Sequence, residues 1–137
     1  MKETSKILIG GAALNHYGSA RFTSDTDYLV HDATRPMFFR DAAANVDFCN
    51  AAANEFFAEV MKSEGAVEIC SPQGLLELKA YALVQHCQNG YWKKADDCEF
   101  DIAFLVRTFG LTSCPIAAKY VSGGELSEIT KIIRSVK

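Results

Sequence analysis

The chain has 137 residues, of which 49% are hydrophobic and 23% charged, the size and make-up of one ordinary globular domain rather than a disordered or fibrous chain. A formal net charge of -3 excludes a protein that coats nucleic acid through a broad basic surface, so no DNA partner is expected. Five cysteines, odd in number, widely spaced and without a C-x-x-C pair, fit neither a disulfide framework nor a zinc knuckle and are read as unpaired thiols of a reducing, cytoplasmic compartment. No apolar run reaches the roughly 20 residues of a membrane-spanning helix, and Asn15, His16 and Tyr17 interrupt the one stretch that imitates a signal peptide.

Lys6 to Ile9 is a short apolar run that ends at Gly10 and Gly11 and reads as a buried strand followed by a tight turn. Ala12 to Tyr17 then suits a helix of one or two turns closed by Gly18. Asp25 to Val30 alternates and reads as a second strand, with a turn at His31, Asp32 and Pro36. Met37 to Arg40 is ambiguous, and Val46 to Cys49 is a third strand after the small, polar Ala42 to Asn45 segment. Phe56, Phe57, Val60 and Met61 recur at helical spacing, and Val67 to Cys70 reads as a further strand.

The remainder is expected to be helical. Ser71 and Pro72 open a helix that carries Leu75, Leu78 and Ala82 on one face and runs to Asn89 and Gly90. Cys98, Ile102, Leu105 and Phe109 mark an amphipathic helix stopped by Gly110. A short helix from Ser113 and Pro115 to Tyr120 follows, and Leu126, Ile129, Ile133 and Val136 form a last apolar stripe. The expected fold class is α/β or α+β: a single domain over 1–137, with a small mixed sheet in 1–70 and a helical half in 71–137.

A strand that ends in Gly-Gly at the mouth of a helix leaves backbone N–H groups bare and lets a phosphate approach without a side chain in the way. Asp25 and Asp27 are two apart on an expected strand, so both carboxylates fall on one face, where their mutual repulsion asks for a cation. Magnesium, held through carboxylates, waters and substrate phosphates, meets that need and could hold a nucleoside triphosphate for attack on its α-phosphorus. The competing glycine motifs fail, because no G-K-[ST] follows and the glycines do not make G-x-G-x-x-G.

Ile9-Gly10-Gly11-Ala12, then Gly18, Arg21, Thr23 and the Asp25-x-Asp27 pair, resemble the signature of the nucleotidyltransferase superfamily. Ser71-Pro72 with Leu75, Leu76 and Lys79, then Lys94, Asp97 and Asp101-Ile102, are similar to its toxin-type AbiEii branch. The resemblance implies a minimal nucleotidyltransferase fold and magnesium-dependent transfer of a nucleoside monophosphate from ATP, CTP or another triphosphate to a hydroxyl on protein, RNA or a small molecule. It implies that Asp25 and Asp27 bind metal in a two-ion site, with Asp47 in Val46-Asp47-Phe48 as the third carboxylate or the base. Gly10, Gly11, Arg21 and Thr23 are then phosphate or nucleotide contacts, and a cognate partner protein is a further implication.

Each of these residues also has a plainer role. Gly10 and Gly11 could serve a tight turn alone, Asp25 and Asp27 a cap or a solvated edge, and Arg21 a surface pair with Asp25. Lys79 is read first as the partner of Asp101, joining the helical half to the sheet half, and second as part of the nucleotide pocket. Tyr91 and Trp92 beside Lys93 and Lys94 could stack on a base but more commonly anchor their own helix. The shortened Val30 to Val46 connection keeps open an alternative: a catalytically degenerate relative that acts as a nucleotide-binding or protein-interaction module.

Overall fold

A computed structural model describes residues 6–136 of the chain. It divides into two compact units, the first ending at Ser71 and the second beginning at Pro72. The mixed α/β class and the helical C-terminal half agree with the sequence pattern.

In the first unit, β1 (Lys6–Ile9), β2 (Thr26–Val30), β3 (Phe38–Asp41) and β4 (Val46–Asn50) form one sheet in the order β1-β2-β4-β3. β2 runs antiparallel to β1 and parallel to β4, and β3 returns antiparallel on the outer edge of β4. Met37 to Arg40, ambiguous in sequence, thus lies largely in β3, whose exposed Phe38 and Arg40 break the alternation that marks a half-buried strand. The strand expected over Val67 to Cys70 is reduced to a single parallel bridge between Leu8 and Ile69. Leu8 N–H donates to Glu68 O at 2.8 Å and Cys70 N–H to Leu8 O at 2.9 Å. Gly65 and exposed Ala66 and Val67 offer too few apolar anchors to extend it.

Two helices complete this unit. α1 (Gly10–His16) begins at the first glycine itself rather than after the pair, with Gly10 at φ +67°. α2 (Glu55–Glu64) starts where the Asn54 side chain accepts the Phe57 N–H, and it buries Phe56, Phe57 and Val60. Ile7, Ile9, Leu14, Leu29 and these α2 residues are buried in the unit's core. A buried Asn50 fixes the turn between β2 and β3: its amide N–H groups reach the carbonyls of Asp32, Arg35 and Pro36, and its Oδ1 accepts from Asp32 N–H and Ala52 N–H.

The second unit is a helical hairpin with additions. α3 (Pro72–Gln88) and α4 (Trp92–Phe109) are joined by a short turn in which Gly90 takes φ +71°. α4 buries Ala95, Cys98, Ile102 and Leu105, and Gly110 closes it in the left-handed conformation, whereas Phe109 stays 38% exposed because the helix ends there. The short helix expected before Tyr120 is a 3-10 turn over Ala117–Lys119. α5 (Gly123–Ser135) has a full capping box between Ser122 and Glu125 and buries Ile129 and Ile133. Among the described residues, no helix is long and apolar enough to cross a membrane.

Candidate active site

One residue row crosses the whole sheet and collects the polar groups. Ile9 pairs with Asp27, Asp27 with Asp47, and Asp47 with Arg40, so Asp27, Asp47 and Arg40 are direct neighbours on three adjacent strands. Adjacent strands lie about 4.8 Å apart, so side chains in one row project from the same face at contact range. Asp25 is not on the strand as expected. It lies in the irregular segment immediately before β2, after a bend at Ser24, still two residues from Asp27.

The glycines meet this row directly. A methyl group added at Gly10 would fall on the Asp27 carboxylate, and one at Gly11 would stand 2.6 Å from the Thr23 Cβ. Their first role is therefore close packing: Asp27 covers the bare edge of Gly10 and Thr23 covers that of Gly11. The space a side chain would take at each glycine is thus already filled by the chain itself. Thr23 also donates its hydroxyl to the Asp25 carbonyl at 3.3 Å, which ties the glycine turn to the carboxylates. Asn15 holds the loop after α1, donating from Nδ2 to the carbonyls of Ser19 at 3.0 Å and Arg21 at 2.9 Å.

The group that sequence reading missed is Arg40. Its Nη1 stands 2.8 Å from Asp47 Oδ2 and its Nη2 3.9 Å from Asp25 Oδ1, with Arg40 and Asp25 side chains both over two-fifths exposed. The hydrogen bond to Asp47 raises its pKa above the ordinary arginine value. Desolvation opposes this, and the negative charges of Asp47, Asp25 and Asp27 add to it. The guanidinium is thus the resident cation among the three carboxylates. Asn45, at φ +57°, accepts from Arg40 and donates its Nδ2 to the Ser24 carbonyl at 2.8 Å, so it sets the arginine against the start of β2. The available signal was weak: an asparagine able to adopt positive φ, followed by a strand, with an arginine five residues earlier.

The donor set suits a hard divalent cation in chemistry, being all carboxylate oxygen and partly open to water. The side chains are not gathered as a finished cage. Among the described residues, no group of three or more His, Cys, Asp or Glu side chains stands close enough to hold a metal ion. A cation would meet Arg40 on Asp47 first.

Lys79 belongs to the second unit and is committed elsewhere. Its Nζ lies 3.0 Å from Asp101 Oδ2, with the carboxylate fully buried and the lysine 16% exposed. The expected pair forms, but it joins α3 to α4 inside the helical unit instead of joining the two halves. Trp92 stands 64% exposed at the start of α4, with Lys94 Nζ 5.2 Å from the Tyr91 ring. Phe22, 82% exposed between Arg21 and Thr23, is an apolar ring in the loop that precedes β2, which sequence reading also passed over.

No family model matches this chain, and no curated protein or solved structure does either.

Proposed function

We propose that the chain is a magnesium-dependent nucleotidyltransferase that moves a nucleoside monophosphate from a triphosphate to a hydroxyl on protein, RNA or a small molecule. The observation that carries this reading is the register: Asp47 is the direct parallel partner of Asp27, with Asp25 two residues before it and a glycine turn against it. Asp25 and Asp27 would hold the magnesium, with Asp47 as the third carboxylate or the base; the ion, when bound, would neutralise triphosphate charge and favour attack at the α-phosphorus. Arg21 and Thr23 would meet phosphate, and Phe22 offers a ring for the base. In the transfer, the acceptor oxygen bonds to the α-phosphorus and the bond to the bridging oxygen breaks. Pyrophosphate leaves, and the hydroxyl proton passes to the Asp47 carboxylate. Lys79 would act by holding α3 to α4. A cytoplasmic setting and a cognate partner protein belong to the same reading.

The test incubates the pure protein with each radiolabelled nucleoside triphosphate and magnesium, with and without total RNA or lysate, beside an Asp25→Ala, Asp27→Ala double variant. Metal-dependent label on a macromolecule that vanishes in the variant is the expected result. A second reading, a degenerate relative that binds nucleotide without turnover, is favoured by Arg40 lying on Asp47. Calorimetric binding of a triphosphate with no label under any condition would select it, and absence of binding as well would refute both.

A further inference from the structure

The aromatic and basic residues at the start of α4 neither form a basic patch nor anchor their helix by burial. Lys93 Nζ lies 2.8 Å from Asp97 Oδ1 and Lys94 Nζ 5.2 Å from the Tyr91 ring, so both cations are engaged, while Tyr91 is 53% and Trp92 64% exposed. The helical repeat places Asp96 and Phe100 one and two turns after Trp92, on the side of α4 away from buried Cys98, Ile102 and Leu105, and Glu99 and Ala103 flank the same stripe. Phe100 is 55% exposed. Asp96 and Glu99 are exposed too, and among the described residues their side chains make no ion pair or hydrogen bond. Apolar side chains scattered singly over a surface are ordinary, but here two large rings about 12 Å apart on one helix bracket two carboxylates.

We propose that the outward stripe of α4 is a docking face for a cationic amphipathic helix of another protein. Charge selects this occupant. A nucleic-acid strand would bring its phosphates against Asp96 and Glu99, and Lys93 would have to leave Asp97 to meet it. A second copy of the chain laid antiparallel about the middle of the stripe would set the Asp96 of one copy level with the Glu99 of the other; laid parallel, it would set Asp96 beside Asp96. A helix with Leu-type residues and Lys or Arg on one face answers both features. Its apolar residues cover the Trp92 and Phe100 rings, and its cations meet the carboxylates and lie over the ring faces. Exposed Trp92 is the side-chain type that most often anchors such contacts. The docking face is independent of nucleotidyl transfer, because α4 belongs to the helical unit and carries no residue of the carboxylate row.

Trp92 is the single tryptophan of the chain, so its emission reports this face directly. The experiment titrates the full chain with a synthetic helix of about 18 residues that carries a Leu stripe flanked by Lys, and with the same helix carrying Glu in place of Lys. The proteins compared are the wild type, Phe100→Ser, an Asp96→Lys, Glu99→Lys double variant, and a Glu68→Lys, Glu128→Lys double variant of equal net charge that leaves the stripe untouched. All the changed side chains are exposed, so melting curves should stay close to wild type. The expected result is a blue shift of Trp92 emission with the Lys helix alone. Its Kd should be about tenfold weaker or more in Phe100→Ser and in Asp96→Lys, Glu99→Lys, and unchanged in Glu68→Lys, Glu128→Lys. Equal weakening in the two charge variants would reduce the binding to net-charge attraction and overturn the docking face. Absence of any emission shift, or equal affinity for the Glu helix, would overturn it as well. A concentration-dependent dimer in sedimentation that Phe100→Ser dissociates would assign the stripe to a second copy of the chain and overturn the foreign partner.

Discussion

The two units handle buried and exposed charge in opposite ways. In the helical unit Glu77 is 1% exposed and accepts from Ala117 N–H at 2.8 Å, Ile116 N–H at 3.1 Å and Gln73 Nε2 at 3.3 Å, while Asp101 is fully buried on Lys79. In the sheet unit Asp25 and Asp47 stay more than a third exposed and lean on an arginine that water also reaches. A fully desolvated carboxylate depends on fixed partners and cannot exchange them cheaply, whereas a half-solvated one can trade a guanidinium for another cation. The first arrangement builds a fold; under the proposed function the second is a place for ligands.

The largest expected effect breaks the helical side of this contrast. Asp101→Ala strands the Lys79 ammonium and should cost about 3–5 kcal/mol in urea unfolding, as for other severed buried pairs. Asp47→Ala should leave the unfolding midpoint close to wild type while abolishing binding of Mn2+, the probe for the proposed magnesium. Equal losses of stability in the two variants would erase the distinction between the units.

Next in size are the glycines. Gly11→Ala pushes a methyl into the Cβ of Thr23, which cannot swing aside as a side-chain tip can, and should cost about 1–3 kcal/mol. Gly10→Ala carries the strain of a positive φ, about 1–2 kcal/mol, and displaces the movable Asp27 carboxylate. Its clearer readout is thus loss of Mn2+ binding, and retention of wild-type Mn2+ affinity would show that Asp27 is no ligand.

The smallest effect is a pH slope in the helical unit. Burial, then the positive charges of Lys94 and Lys79, lower the His86 pKa below its ordinary 6.5. The unfolded chain therefore binds the proton more readily, and stability falls as pH drops below about 6.5 until the lowered folded value is passed. His86→Gln should flatten that part of the wild-type profile; identical slopes in the two proteins would contradict the burial of the imidazole.

Much of this was legible in the sequence because it rests on local rules. β1, β2 and β4 follow from short β-rich runs, α3 and α4 from apolar spacing, and the end of α4 from Gly110. Asp27 and Asp47 could be singled out as strand residues, but their pairing could not, since parallel register depends on the whole sheet. Arg40 was hidden for the same reason: its partners are 7 and 15 residues away in sequence and meet it only through the β3 and β4 hairpin. The Lys79 and Asp101 pair was visible from helical periodicity, yet which elements it joined was not. Phe22 carries no periodic signal at all, because its exposure is set by the loop that Asn15 holds.

The bridge between Leu8 and Ile69 also dictates an order of events during synthesis. The backbone of Leu8 is satisfied by Glu68 and Cys70, near the far end of the first unit. A nascent chain that has emerged only as far as β4 already contains Gly10, Asp25, Asp27, Arg40 and Asp47, but not the segment that closes the free edge of β1. Until Cys70 leaves the ribosome, that edge presents unpaired N–H and C=O groups to any other extended chain. The residues of the carboxylate row are thus translated well before the part of the protein that seals the sheet carrying them.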